Sequence, residues 1–509
     1  MRDNSDVRLM TVPASFIADR ANVRGIRDVV SKLSAVGFSE SSVGKRLGLE
    51  DLADLQWRLV SMLRAECLTR RDPLALAIDL FLLQGSLPAD ELNRLFAAPE
   101  SDVLIQSGIL SVDESGCARA RASLFPVGDR LIFSDHAWPE LPHPGYTSVP
   151  YDHVMAVGLD SRHLARCTTR RPVRAALDLC TGSGIHALLA SLHAEQVVAV
   201  DINPRAVLCT RFNAAASGIA NLEVLAGDLF EVVPGESFDL ITANPPFVPS
   251  PLDSLQFRDG GRSGEDIQKR IVAGLPRHLA PGGIAQMVTE LGEREHEPLV
   301  QRLREWLNGA PIDIHILRLG SHAAAKYAIG HAKGDDYQTF LDSVEEWSGN
   351  LRAHGYLRVA SVVISFQWSN PAFGPPWERV EESLPPQRAA GAEIDAAFLA
   401  ERLTRHADFE EAIKRNWLSL AGSIALLDAR VLASEIEAKA KATLLGQGLR
   451  IEHQLDSVER ELLVRLGRRT LMPDLIRILG DVEESAVIEA TRSLLRRQLI
   501  RVDRDLLSL

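Results

Sequence analysis

The segment that most constrains this chain is Leu177-Asp178-Leu179-Cys180-Thr181-Gly182-Ser183-Gly184-Ile185. A run of buried-strand character ends in a turn with two glycines, and an apolar helix is predicted over 186–192. Gly182 and Gly184 lack the Cβ atoms that would keep a ligand away from the main chain where that helix begins. A bare strand-to-helix connection would need no more than this, so its surroundings decide. Short β-branched runs at 175–179, 196–200, 222–226, 238–243, 284–289, 312–318 and 359–367 alternate with helical stretches. That alternation predicts an α/β fold with a doubly wound, Rossmann-like sheet of seven strands, the last two pairing antiparallel at one edge.

Three carboxylates stand at the ends of three successive strands: Asp178, Asp201 and Asp228. Asp201 lies 23 residues past Asp178, where an acid meets ribose hydroxyls across the switch point of such a sheet. Asp228 is placed to accept the amino proton of an adenine. Ile202 and Leu229 follow these acids directly and join Cys180, Gly182, Gly184 and Asn244 in the predicted cofactor pocket. A nicotinamide dinucleotide would require G-x-G-x-x-G and a pyrophosphate on the helix N-terminus. Here Ala187 stands after the second glycine, and Asp178 would repel a pyrophosphate but suits a cationic amino-acid moiety. S-adenosylmethionine fits these residues better.

The fourth strand runs into Ala243-Asn244-Pro245-Pro246-Phe247. An amide or exocyclic amine is a poor nucleophile because its lone pair is delocalised. The Asn244 side-chain oxygen and the Pro245 carbonyl can accept both N–H protons and aim that lone pair at a methyl group. Neither proline carries an N–H, so the turn is stiff and its carbonyls stay free. Phe247 offers a face for a planar group. Positioning and electrostatics carry such a reaction, with no separate base needed before transfer. Together with the turn at Asp178, this motif resembles class I methyltransferases of the Asn-Pro-Pro-aromatic type. These include the release-factor glutamine and ribosomal-RNA guanine N-methyltransferases. Phe257-Arg258-Asp259-Gly260-Gly261 through Gly264 resembles the Gly-rich segment of the methyltransferase small-domain branch. The resemblance covers about 151–368 and implies Asn244, Pro245, Pro246 and Phe247 as catalytic residues. Many relatives carry Gly where Cys180 stands, and a small side chain there serves packing.

At 509 residues the chain exceeds one ordinary core, and three domains are expected. A helical, winged-helix-like region (1–137) precedes the methyltransferase domain (138–370), and a mainly helical, winged-helix-like region (371–509) follows it. Pro-rich connectors at 138–150 and 373–386 mark the joins. Tyr146, Tyr151 and Gly158-Leu159-Asp160-Ser161 either cover the methionine end of the cofactor or are plain linker. Net charge is −12, which disfavours extensive non-specific nucleic-acid binding. Arg492, Arg496, Arg497, Arg501 and Arg504 read as a solvated helix face rather than a nucleic-acid patch, and His322, Lys326, Tyr327 and His331 as surface or lid. Five cysteines form neither a disulfide framework nor a zinc pattern, so a reducing cytoplasm is expected and no metal is assigned. Residues 1–10 hold no signal-peptide core, and no apolar run approaches a membrane span.

The expected activity is N-methylation of a planar nitrogen, in a protein amide or a nucleobase. The alternatives are a small-molecule methyltransferase dimerised through its N-terminal domain, giving a homodimer, and a winged-helix regulator that senses the cofactor. An intact amine clamp argues against the sensor.

Overall fold

The computed structural model describes residues 20–128, 130–136, 149–252, 255–415, 417–422, 424–428, 440–444, 448–466, 469–480 and 482–502. Most of the first Pro-rich connector, with Tyr146, lies outside them, as do Asp129, Gly467 and Arg504. The chain divides into two compact units, one holding Met1–Ala165, Arg171–Leu307 and Ala323–Val359, the other Arg166–Arg170, Asn308–His322 and Ala360–Leu509.

The first unit is built on five parallel strands: β1 (Val173–Leu179), β2 (Ala194–Asp201), β3 (Leu222–Ala226), β4 (Phe238–Ala243) and β5 (Leu279–Glu293). They lie side by side in the order β3-β2-β1-β4-β5. Each contains the strand expected from the sequence. β5 runs longer because it continues through Pro281-Gly282-Gly283 by a register shift between Leu279 and Ile284. Val and Ile suit a pleat covered on both faces, and the carboxyl half of β1 is wholly buried. The chain leaves β1 toward β2 on one side while β4 pairs on the other, so a crevice opens at the carboxyl ends of β1 and β4.

Helix α1 (Leu159–Cys167) precedes β1, and α2 (Ile185–Ala190), buried along its whole length, follows it. α3 (Pro204–Ala216) begins after β2, where Asn203 caps its start and Pro204 fits the first turn. The N-terminal helices share one apolar core with α2 and α3, which contribute Ile185, Leu188, Leu189, Phe212 and Ala216. Phe133 meets Phe212 edge-on at 5.2 Å, and Asn213 joins the two parts by accepting from the Phe133 N–H and donating to its carbonyl. Within this N-terminal part, Ser86–Leu87, Ala118–Ala120 and Leu110–Val112 form a small antiparallel sheet. Ser123–Val127 pairs with Arg130–Ser134. This hairpin begins at Ser123, and Ala118–Ala120 pairs with the small sheet instead.

In the second unit Ile312–Ala323 lies between Glu378–Glu382 and Arg358–Trp368. The edge expected for the last two predicted strands is taken by Glu378–Glu382, parallel to Ile312–Ala323. Its Glu-Arg-Val-Glu-Glu sequence is the charged kind that discourages further pairing. This strand, an eighth beside the seven expected, lies where the sequence suggested linker. The C-terminal region carries more β-structure than the mainly helical expectation: Ile424–Asp428, Ala440–Leu444 and Glu452–Leu455 form an antiparallel sheet. Trp417–Leu420 pairs with Thr470–Leu471 and Ile500–Val502. Strands this short, of two to five residues, carry little of the alternation that reveals a strand. The arginines of the last helix are engaged internally: Arg492 beside Glu489 and over the Phe409 ring, Arg496 donating to Thr404, Arg497 to Glu459. Among the described residues no helix is long and apolar enough to cross a membrane.

Candidate active site

A cavity of about 150 Å³ opens at the carboxyl ends of the first unit's strands. Its floor is the turn after β1. Cys180, Gly182 and Gly184 all have positive φ (56°, 57° and 87°), a conformation that glycine adopts without steric cost. The two glycines differ in purpose. A Cβ on Gly182 would meet nothing within 4 Å, so its main chain is open, and Gly182 lines the cavity. A Cβ on Gly184 would lie 2.8 Å from the Thr210 methyl and 2.9 Å from Leu188, so that glycine serves close helix packing.

Asp201, at the end of β2, lines the cavity and is anchored by backbone donors. Its carboxylate accepts from the Gly182 N–H at 2.8 Å and the Asn203 N–H at 2.9 Å. Burial raises its pKa above the ordinary range against the pull of these bonds. Ile202, more than half exposed, and Leu229, buried with φ 50°, give apolar walls. Asp228 also lines the cavity, paired at 2.8 Å with Arg270, itself a lining residue.

Asp178 is placed differently from the sequence expectation. It is 1% exposed and stands behind the turn, absent from the described cavity lining. Its carboxylate accepts from the Thr181 hydroxyl (2.7 Å), the Ala187 N–H (3.2 Å) and the Thr242 hydroxyl (2.8 Å). It thereby ties the ends of β1 and β4 to the start of α2. Burial pushes its carboxyl up to about 7, with the nearby Asp201 adding to the rise.

Asn244 and Pro246 line the same cavity as Gly182 and Asp201. The Asn244 side-chain N–H donates to the Ser161 hydroxyl of α1 at 3.1 Å. Pro245 is buried and outside the described lining. Phe247 is outside it too, half-buried against an apolar cluster that includes Tyr327, Trp347 and Tyr356. The aromatic ring therefore supports the turn from behind. Of the surface-or-lid group, Tyr327 is buried, donates to Glu290 at 2.6 Å and stacks on His331, whereas Lys326 is exposed.

The Gly-rich segment after Phe257 is laid main chain to main chain against this turn. Val248 N–H donates to Arg258, Gly260 N–H to Val248 and Ser250 N–H to Gly261. A Cβ on Gly260 would lie 2.8 Å from the Pro246 carbonyl, and one on Gly264 2.5 Å from the Phe247 carbonyl. These glycines are required by approach of the backbone. Asn350 reinforces the join by donating to the Pro249 and Arg262 carbonyls.

Several lining residues were not foreseen: His153, Met155, Gln256, Ile267 and Arg270. Ile267 and Arg270 stand three apart on α4 (Asp266–His278), a spacing that puts both on one helix face and could have revealed them. His153 gives no such signal. Its ring lies 5.4 Å from that of Phe257, and burial lowers its pKa to about 4, leaving it neutral. Its segment is stapled to α3 through Arg205, which reaches Asp135 at 2.8 Å and Asp152 at 3.2 Å.

A recess at the switch point of a parallel sheet, beside an Asn-Pro-Pro turn, is similar to the arrangement expected of a class I methyltransferase domain. More narrowly, residues 156–308 match the family model of the methyltransferase small domain. Similar proteins include the ribosomal protein uL3 glutamine methyltransferase of Bordetella pertussis, 37% identical over 163 residues, covering 29% of this chain and 54% of that protein. The release factor glutamine methyltransferase of Geobacter sulfurreducens is 36% identical over 134 residues, covering 24% and 47%. That of Koribacter versatilis is 38% identical over 146 residues, covering 26% and 51%. The chain spans about half the length of these relatives.

Proposed function

We propose that this chain is an S-adenosylmethionine-dependent N-methyltransferase whose acceptor is the planar nitrogen of a protein glutamine-type amide. The observation that carries the proposal is Asn244, held at the end of β4 in the wall of the cavity that Asp201 and Gly182 also line. The residues suit the cofactor. Asp201 offers acceptors to ribose hydroxyls, Asp228 to an adenine amino group, and Ile202 and Leu229 give the base apolar faces. Gly182 leaves its main chain bare. The Asp201 carboxylate, in the cavity wall and held by two backbone N–H donors, suits a cationic ligand, whereas Asp178 stands behind the turn. The chemistry supplied by the cofactor is an electrophilic methyl group on a sulfonium sulfur.

Asn244 and the Pro245 carbonyl orient the acceptor by taking its N–H protons, which turns the lone pair out of the amide plane's resonance toward the donor. The second arm of the sequence expectation, a nucleobase, is disfavoured by the net charge of −12 and by the internal engagement of Arg492, Arg496 and Arg497. The relatives' printed names, glutamine methyltransferases of uL3 and of release factors, support the amide. Winged-helix character of the flanks, division near residues 137 and 370, and a cytoplasmic setting belong to the same proposal. The small N-terminal antiparallel sheet following helices supports the first of these.

Tritiated methyl transfer from S-adenosylmethionine into separated cell protein, RNA, DNA and metabolites tests the reading. Label is expected in protein, on glutamine nitrogen. Label in nucleic acid alone would replace the amide by a base, and label in metabolites alone would make this a small-molecule enzyme. For the pocket itself, Asp201→Ala weakens S-adenosylmethionine binding by about 1–3 kcal/mol, the worth of charge-assisted hydrogen bonds. Unchanged affinity by calorimetric titration would mean that the ribose lies elsewhere.

A further inference from the structure

Helix α1 lies upstream of the sheet, and the sequence left its first residues between cofactor cover and linker. In the structure Ser161 is 4% exposed, lines the cavity, and accepts from the Asn244 side-chain N–H at 3.1 Å. An asparagine side chain swings freely about two torsions, and orienting an acceptor requires its oxygen to be held in one place. The main chain of the Asn-Pro-Pro turn is already fixed by its prolines and by the glycines behind it. The remaining freedom is that of the carboxamide itself. We infer that Ser161 is a positioning residue for methyl transfer, holding the Asn244 carboxamide by its nitrogen so that its oxygen is presented to the acceptor. This inference rests on the role of Asn244 proposed above. It assigns to α1, outside the motifs that define the domain, a part in the chemistry.

The placement has physical grounds. Bonded through one N–H, the Asn244 amide retains its oxygen for the acceptor, and no hydrogen bond to that oxygen is formed within the described residues. Loss of the Ser161 hydroxyl frees the amide to rotate, which costs alignment at the reacting nitrogen and leaves the adenosine contacts of Asp201 and Asp228 untouched.

The test compares Ser161→Ala, Ser161→Thr and Asn244→Ala with the native chain. The assay is initial rates of tritiated methyl transfer from S-adenosylmethionine into total cell protein freed of small molecules. Ser161→Ala is expected to lower kcat roughly ten- to a hundredfold with the KM for S-adenosylmethionine unchanged, and Ser161→Thr to recover most of the rate. Native turnover in Ser161→Ala with an inactive Asn244→Ala overturns this inference and keeps the proposed function. Native turnover in Asn244→Ala overturns both. A readout that needs no turnover is the side-chain amide resonance of Asn244, assigned by its loss in Asn244→Ala. In Ser161→Ala it should shift and exchange faster with water, and an unmoved resonance would overturn the inference even if the native chain transferred no methyl.

Discussion

Asn244→Ala is expected to bind S-adenosylmethionine with nearly native affinity and to transfer its methyl group at least roughly a hundredfold more slowly. The side chain lies in the cavity wall and, among the described residues, makes its one hydrogen bond to Ser161, so its loss takes no described contact from Asp201 or Asp228. What is lost is the acceptor that aims the reacting nitrogen. An interaction used in aligning the transition state lowers kcat and leaves ground-state binding of the donor largely intact. Calorimetry measures the first quantity and radiolabel transfer the second. If turnover stays near native, the nucleophile is not a planar nitrogen, and an oxygen, sulfur or carbon acceptor served by another residue must replace it. Phe247→Ala, by contrast, removes a prop from the cluster around Tyr327 and Trp347, so its cost falls on stability.

The second large effect concerns pH. Asp178 titrates near 3.8 when the chain is unfolded and is pushed up to about 7 by burial in the fold. Between those values the folded protein binds the extra proton, so stability attributable to this residue falls as pH rises from about 4 to about 7 and is level above. Asp178→Asn abolishes that loss. An asparagine oxygen can accept from Thr181 and Ala187 while its nitrogen donates to the Thr242 hydroxyl, which turns toward the Leu177 carbonyl. At pH 8 the variant should gain on the order of a few kcal/mol, a rise of roughly 5–10 °C in unfolding temperature, and at pH 4 the gain should vanish. Thermal unfolding of both proteins across that range checks the sign. A variant less stable than the native chain at pH 8 would show that the fold favours the charged Asp178 carboxylate and does not raise its pKa.

The parts of the site that could be read in the sequence are those made by local chemistry. A glycine turn after a buried strand and a proline pair after another each announce their conformation, and a regular βα alternation brings their ends together. Gly182, Asp201, Ile202, Asp228, Leu229 and Asn244 line the cavity as that logic requires. Asp178 misled because an acid before a glycine turn looks the same whether it faces the ligand or braces the turn, and only the threonines at 181 and 242 decide. Phe247 misled likewise, since a half-buried ring shows no preference in sequence for its front or its back. His153 and Ser161 reach the cavity from segments before the sheet, where contacts are set by tertiary packing rather than spacing. In the second unit, strands such as Ala440–Leu444 and Glu452–Leu455 are too short to show an alternation that marks a buried face.

The backing of the Asn-Pro-Pro turn has a consequence for tolerance to altered donors. On that side the wall is peptide resting on peptide, and the close approach of Gly260 and Gly264 to the Pro246 and Phe247 carbonyls leaves no rotamer that can step aside. Ser161, a small side chain on α1, lines the same cavity and bonds Asn244. The recess is therefore rigid where peptide backs the turn and trimmable at Ser161. Trimming Ser161 to admit analogues that carry a longer alkyl chain in place of methyl takes atoms from the group that steadies Asn244. Breadth of donor and speed of transfer are bound to trade against each other at one residue.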